Sequence, residues 1–111
     1  MTYRDLYTPR FSKNYHRYAS FQKRIDQTIQ LVLQNPYQKT EVLQFKEGHD
    51  LRGLRSARIG RNFRIIFTIL EELKETPCEY RTLLESYLKA YPGKTVIFLT
   101  VGPHEAAFRM K

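Results

Sequence analysis

The sequence predicts an α+β fold in which an N-terminal helical pair is packed on a small sheet and a further helix is inserted before the last strand. Three observations carry this. Apolar residues recur at spacings of three and four from Phe11 to Leu33, the mark of helices with one buried stripe. The stretch 51–69 reads as a strand, a glycine-containing turn and a second strand. Residues 95–101 (TVIFLTV) form an apolar run with no polar face, as expected of a strand covered on both sides and so central. At 111 residues the chain can build one modest core, so 1–111 is read as a single domain.

In chain order, residues 2–7 (TYRDLY) are partly alternating and predict a first strand that Pro9 helps to end. Tyr15, Tyr18 and Ala19 suggest a short first helix, and Phe21, Ile25, Ile29, Val32 and Leu33 mark a second. Lys13, Arg17, Lys23 and Arg24 lie largely off that stripe, and Asn35-Pro36 stops the second helix. Neither helix can bury its stripe alone, so the pair is expected to cover one face of the sheet. A short extended piece at 42–45 leads through Lys46, Glu47 and Gly48 to His49. Residues 71–94 differ in character, polar with mixed charge. Leu83, Leu84, Tyr87, Leu88 and Tyr91 predict an inserted amphipathic helix over 79–90, closed by Pro92-Gly93.

The stretch 51–69 holds arginine at every third position: Arg52, Arg55, Arg58, Arg61 and Arg64. A helix would place these on a drifting stripe, but Gly53 and Gly60 are poor in helix interiors and the stretch ends in β-branched and aromatic residues. If Gly60, Arg61 and Asn62 form a three-residue loop, Ile59 pairs with Phe63, Arg58 with Arg64 and Ala57 with Ile65. A two-residue loop would set Arg58 beside Phe63 and mix the faces, which a half-buried sheet resists. Arg58 and Arg64 are therefore expected side by side on one face, with Arg52 a candidate to extend the row and Arg55 turned away. Two adjacent guanidinium groups repel unless an anion lies between them, which points to a phosphate site.

The net charge is +8, and half of it lies between residues 49 and 69. Such a balance favours nucleic acid, an anionic membrane surface or an acidic protein as partner. No apolar run approaches the roughly 20 residues of a membrane span, so no segment is expected to cross a membrane, and the expected partners do not include one. Cys78 is the only cysteine, which excludes a disulfide framework or a zinc knuckle within one chain and makes a reducing cytoplasm the simplest compartment. Cys78 and His16 are read as having no functional role.

The helical pair ending in Asn35-Pro36, the turn at 51–53, Arg58-Ile59, the Phe63-Arg64-Ile65-Ile66-Phe67 strand and a last strand ending in Gly102-Pro103-His104-Glu105, with Phe108 beyond, together resemble the RelE/ParE superfamily of type II toxin–antitoxin systems. The resemblance is closer to the RelE, YoeB and YafQ-like messenger-RNA-cleaving branch than to the gyrase-poisoning ParE branch. It implies a mainly antiparallel, twisted sheet whose open face is the cleavage site. It also implies ribosome-dependent cleavage of mRNA without metal or other cofactor, and a cognate antitoxin as partner. By the same resemblance, Arg64 would contact the scissile phosphate and Arg58 supply a second cation. His104 matches the late histidine of the YafQ-like pattern, Phe108 the aromatic that follows it, and His49 that branch's earlier histidine. Related toxins usually join the last two strands by a short turn, so the segment 71–94 is a departure.

The chemistry of these residue types agrees. RNA is cut by its own 2′-hydroxyl when a base removes its proton and an acid protonates the departing 5′-oxygen. Histidine suits either task, while arginine holds charge developing on phosphate oxygens. The expected catalytic set is His49, Arg58, Arg64 and His104, with the order of base and acid open. Lys46, Arg52, Arg55, Arg61 and Arg109 are candidates for holding RNA, and Phe108 for stacking on a base. The alternatives are a gyrase-inhibiting toxin, which needs no histidine beside the arginines, and an inactive binding module of the same fold.

Overall fold

The computed structural model describes residues 2–46 and 48–103; the side chains of Phe45, Lys46 and His49 also lie outside the described set. The chain starts with β1 (Arg4–Tyr7), α1 (Pro9–Arg17), a single 3-10 turn at Ala19–Phe21 and α2 (Gln22–Gln34). Pro9 begins α1 at its first turn, where a missing N–H costs nothing. Thr8 caps the helix, its Oγ1 accepting from the Phe11 N–H at 3.1 Å while donating to the Leu99 carbonyl at 2.7 Å. One residue thus starts the helix and fastens it to the far end of the chain.

Next come β2 (Glu41–Val42), β3 (Phe45–Lys46), β4 (His49–Asp50), β5 (Arg55–Ile59) and β6 (Phe63–Ile69). The five-stranded sheet has the order β1-β7-β6-β5-β2, where β7 is Thr95–Pro103. Among the described strands only β1 runs parallel to its neighbour; β3 and β4 form a separate two-stranded ribbon. The expected central strand is therefore interior, and it continues two residues past 101. The extended piece at 42–45 divides between β2 and β3, which belong to different sheets.

The β5–β6 hairpin has the predicted register: Ile59 opposite Phe63, Arg58 opposite Arg64 and Ala57 opposite Ile65. Gly60 opens the loop at φ +64°, whereas Asn62, the other loop residue suited to positive φ, does not adopt it. Across β6 and β7 the register shifts between Ile66 and Phe67, leaving Leu99 as the unmatched residue.

Both sheet faces are covered. On one, Phe11, Ile25, Ile29, Val32 and Leu33 from α1 and α2 pack on Ile65, Phe67, Ile69, Val96, Phe98 and Val101. On the other, Ile66, Ile97 and Leu99 meet Leu43, Leu51 and Leu54 from the central loops and Leu70, Leu73 and Leu84 from the segment after β6. That segment is not the single helix predicted over 79–90. It comprises α3 (Leu70–Leu73), α4 (Glu79–Leu83) and α5 (Glu85–Ala90), the last two separated at Leu84. Backbone bonds from Leu84 N to Tyr80 O and from Leu88 N to Leu84 O span the break, so Tyr80, Leu84, Tyr87 and Leu88 still reach the same core. The segment overlies a sheet face rather than a sheet edge, and that face is not open along its length.

Candidate functional site

The apolar cover on the second face reaches Ile66 and Leu99; beyond it, at the hairpin end, stand Arg58 and Arg64. Arg64 is 7 % exposed, and its Nη1 donates to the carbonyls of Phe63 at 3.0 Å and Arg61 at 3.3 Å. Among the described residues no carboxylate forms an ion pair with it. A guanidinium carries five N–H donors, and among the described residues Arg64 is held by one nitrogen, which leaves donors for an anion. Arg58 is exposed and pairs with Glu41 at 3.4 Å, both side chains well solvated. Such a pair contributes at most about 1 kcal/mol and is readily exchanged for a phosphate. Arg61 is exposed at the loop tip.

Opposite Arg64 across the β6–β7 ladder is Gly102, and Pro103 is opposite Phe63. The described part of the strand therefore ends beside the arginine pair, at Pro103. His104, Phe108 and Arg109 lie outside the described residues. Lys46 and His49 are Cα partners in the β3–β4 ribbon, with their side chains outside the described set.

Arg52 and Arg55 do not join the row. Arg52 closes on Asp50, Nε to Oδ1 at 2.8 Å and Nη2 to Oδ2 at 3.0 Å. The Arg52 guanidinium holds the Asp50 carboxyl down at about 2, assisted by a backbone hydrogen bond from Glu79 at the start of α4. The turn after His49 is thereby tied to the inserted segment. Gly53 tightens the same junction: it takes φ +86°, and a Cβ there would fall 2.9 Å from both Cys78 Sγ and Leu73 Cδ1. Arg55 is on the opposite face, as predicted, and 9 % exposed. It donates to both Glu72 oxygens at 2.8 and 2.7 Å and to Thr40 Oγ1 at 3.1 Å, with its guanidinium carbon 4.9 Å from the Tyr37 ring centroid. Its charge is used inside the protein.

A feature the sequence reading left unused is a cleft of about 300 Å³ lined by Arg10, Lys13, Asn14, Arg17 and Tyr18 of the first helical region and Thr100 and Val101 of β7. The basic spacing at 10, 13 and 17, opposite Phe11 and Tyr15, was the signal that could have found it. Among the described residues no group of three or more His, Cys, Asp or Glu side chains converges as a metal site. No described helix is long and apolar enough to cross a membrane.

No protein-family model matches the sequence, and no curated protein matches it. Solved structures do. The toxin–antitoxin complex RelBE2 from Mycobacterium tuberculosis holds a chain similar over 93 % of this chain and 99 % of its own, with TM-score 0.62 and 17 % identity. YafQ from E. coli strain BL21(DE3) is similar over 94 % and 96 %, with TM-score 0.60 and 16 % identity. The E. coli DinJ-YafQ toxin-antitoxin complex gives 97 % and 99 %, TM-score 0.61 and 16 % identity.

Proposed function

Starting from the α+β fold shared with RelE- and YafQ-type toxin structures, we propose that this protein is the toxin of a type II toxin–antitoxin pair, and that it cleaves messenger RNA on the ribosome. The observation that carries the reading is the cross-strand pair Arg58 and Arg64 beside the end of β7. Two arginines paired across the strands, one of them buried with no carboxylate partner among the described residues, suit a phosphate that gains charge during reaction.

In this reading a base, His49 or His104, takes the 2′-hydroxyl proton. The 2′-oxygen bonds to phosphorus, the bond to the 5′-oxygen breaks, and the other histidine protonates that oxygen. The products are a 2′,3′-cyclic phosphate and a free 5′-hydroxyl. Arg64 and Arg58 hold the non-bridging oxygens through the transition state, Arg61 and Lys46 steer the flanking backbone, and Phe108 and Arg109 complete the RNA contact. No metal or other cofactor takes part. The antitoxin would act by covering this cationic end.

The test is induction of wild type, Arg64→Ala and His104→Ala in a bacterial host with mapping of mRNA 5′ ends. New ends within translated codons, lost in both variants, are expected. Growth inhibition with intact messages that persists in His104→Ala would replace cleavage by a gyrase-directed action. No inhibition by the wild type would leave a binding module.

A further inference from the structure

We propose that the cleft between α1 and the end of β7 is a second phosphate site, which holds the backbone of single-stranded RNA flanking the Arg58–Arg64 position through Lys13 and Arg17. It rests on the RNA reading above and extends it to residues on a different element. Arg10, Lys13 and Arg17 fall on one side of α1, seven residues from first to last, a row about 10 Å long. The helix contains no acidic residue. Among the described residues neither Lys13 nor Arg17 forms an ion pair.

The cleft is built rather than merely charged. Its floor is Thr100, whose hydroxyl accepts from Asn14 Nδ2 at 2.9 Å. Tyr18 forms its end: the ring meets Phe63 edge to face at 5.1 Å, and the Arg17 guanidinium lies 5.7 Å from the Tyr18 centroid. A Cβ on Gly102 would sit 3.4 Å from the Tyr18 ring, so Tyr18 lies directly against the residue that faces Arg64 across the ladder. Neighbouring strands are about 5 Å apart, which puts the cleft roughly two strand spacings from Arg64. A polyanion with regularly spaced phosphates can occupy both. A row of cations at helical spacing, continued by the arginines of the hairpin, matches the regularly repeated phosphates of a single nucleic-acid strand better than the irregular carboxylates of an acidic peptide.

The experiment measures binding, so that it is read separately from cleavage. A labelled 2′-O-methyl oligouridine, which lacks the attacking hydroxyl, is titrated against wild type, Lys13→Gln/Arg17→Gln and the charge-preserving Lys13→Arg/Arg17→Lys across a salt series; polyglutamate is the control polyanion. The neutralised variant is expected to bind about tenfold more weakly, with the slope of log K against log salt reduced by about 1.4. The charge-preserving variant should retain wild-type binding and salt slope, with circular dichroism confirming that both variants fold. Unchanged affinity and slope in the neutralised variant would overturn the site even if messages are cleaved in cells. Polyglutamate bound more tightly than RNA, and lost in the neutralised variant, would overturn RNA as the ligand. Binding lost as expected, with no new mRNA ends, would keep the site and refute the cleavage reading.

Discussion

The five arginines of 52–64 share a residue type and a regular spacing, yet their surroundings give them different work. Arg55 is a buried cation whose planar fork matches the Glu72 carboxylate. Removing one partner of such a pair leaves the other charge stranded. Glu72→Gln should therefore lower stability by roughly 2–4 kcal/mol in urea unfolding, and Arg55→Met/Glu72→Leu should recover much of that loss. Asp50 makes a pH prediction. Its carboxyl falls from an ordinary 3.8 to about 2 in the fold, so its contribution is full above 3.8 and disappears as pH falls through 2. Thermal melts of wild type and Asp50→Asn should differ at neutral pH and converge over that acid range. The Arg55–Glu72 pair was not legible from sequence, because Glu72 lies 17 positions from Arg55 and only the tertiary fold brings them together. The Arg58–Arg64 pairing was legible, because Gly60 marks the loop and the alternation of Ala57, Ile59, Phe63 and Ile65 permits one register.

At the scale of elements, the helices and the central strand followed from their apolar periods, whereas the place of the segment 70–94 did not. Its stripe of Leu84, Tyr87 and Leu88 shows that it packs, and amphipathicity alone does not say against what. In the folded protein it covers the second face of the sheet and presses α3 and Cys78 onto the turn after His49. Gly53 is the contact that allows this. Gly53→Ala combines a left-handed backbone with a Cβ 2.9 Å from two side-chain atoms, so a loss of roughly 1–3 kcal/mol is expected. The same variant should admit protease earlier between α3 and α4 than elsewhere, measurable by limited proteolysis. The candidate site was half legible for a related reason: strands declare their cations through alternation, but the α1 cleft exists only once the helix has docked beside β7.

For the whole molecule, the decisive feature is that β7 is the second strand of the sheet in space and, among the described residues, the last in sequence. It pairs with β1 on one side and β6 on the other, matching Arg4 with Thr95 and Ile69 with Val96. Until residues 95–103 have left the ribosome, β1 has no neighbour, Thr8 has no Leu99 carbonyl to fasten α1, and Arg64 has no Gly102 opposite it. Such long-range pairing makes folding late and dependent on a single closing event. For a protein proposed to attack translating ribosomes, the consequence is a built-in delay: the nascent chain cannot assemble its cationic end while the ribosome is still making the strand that completes it.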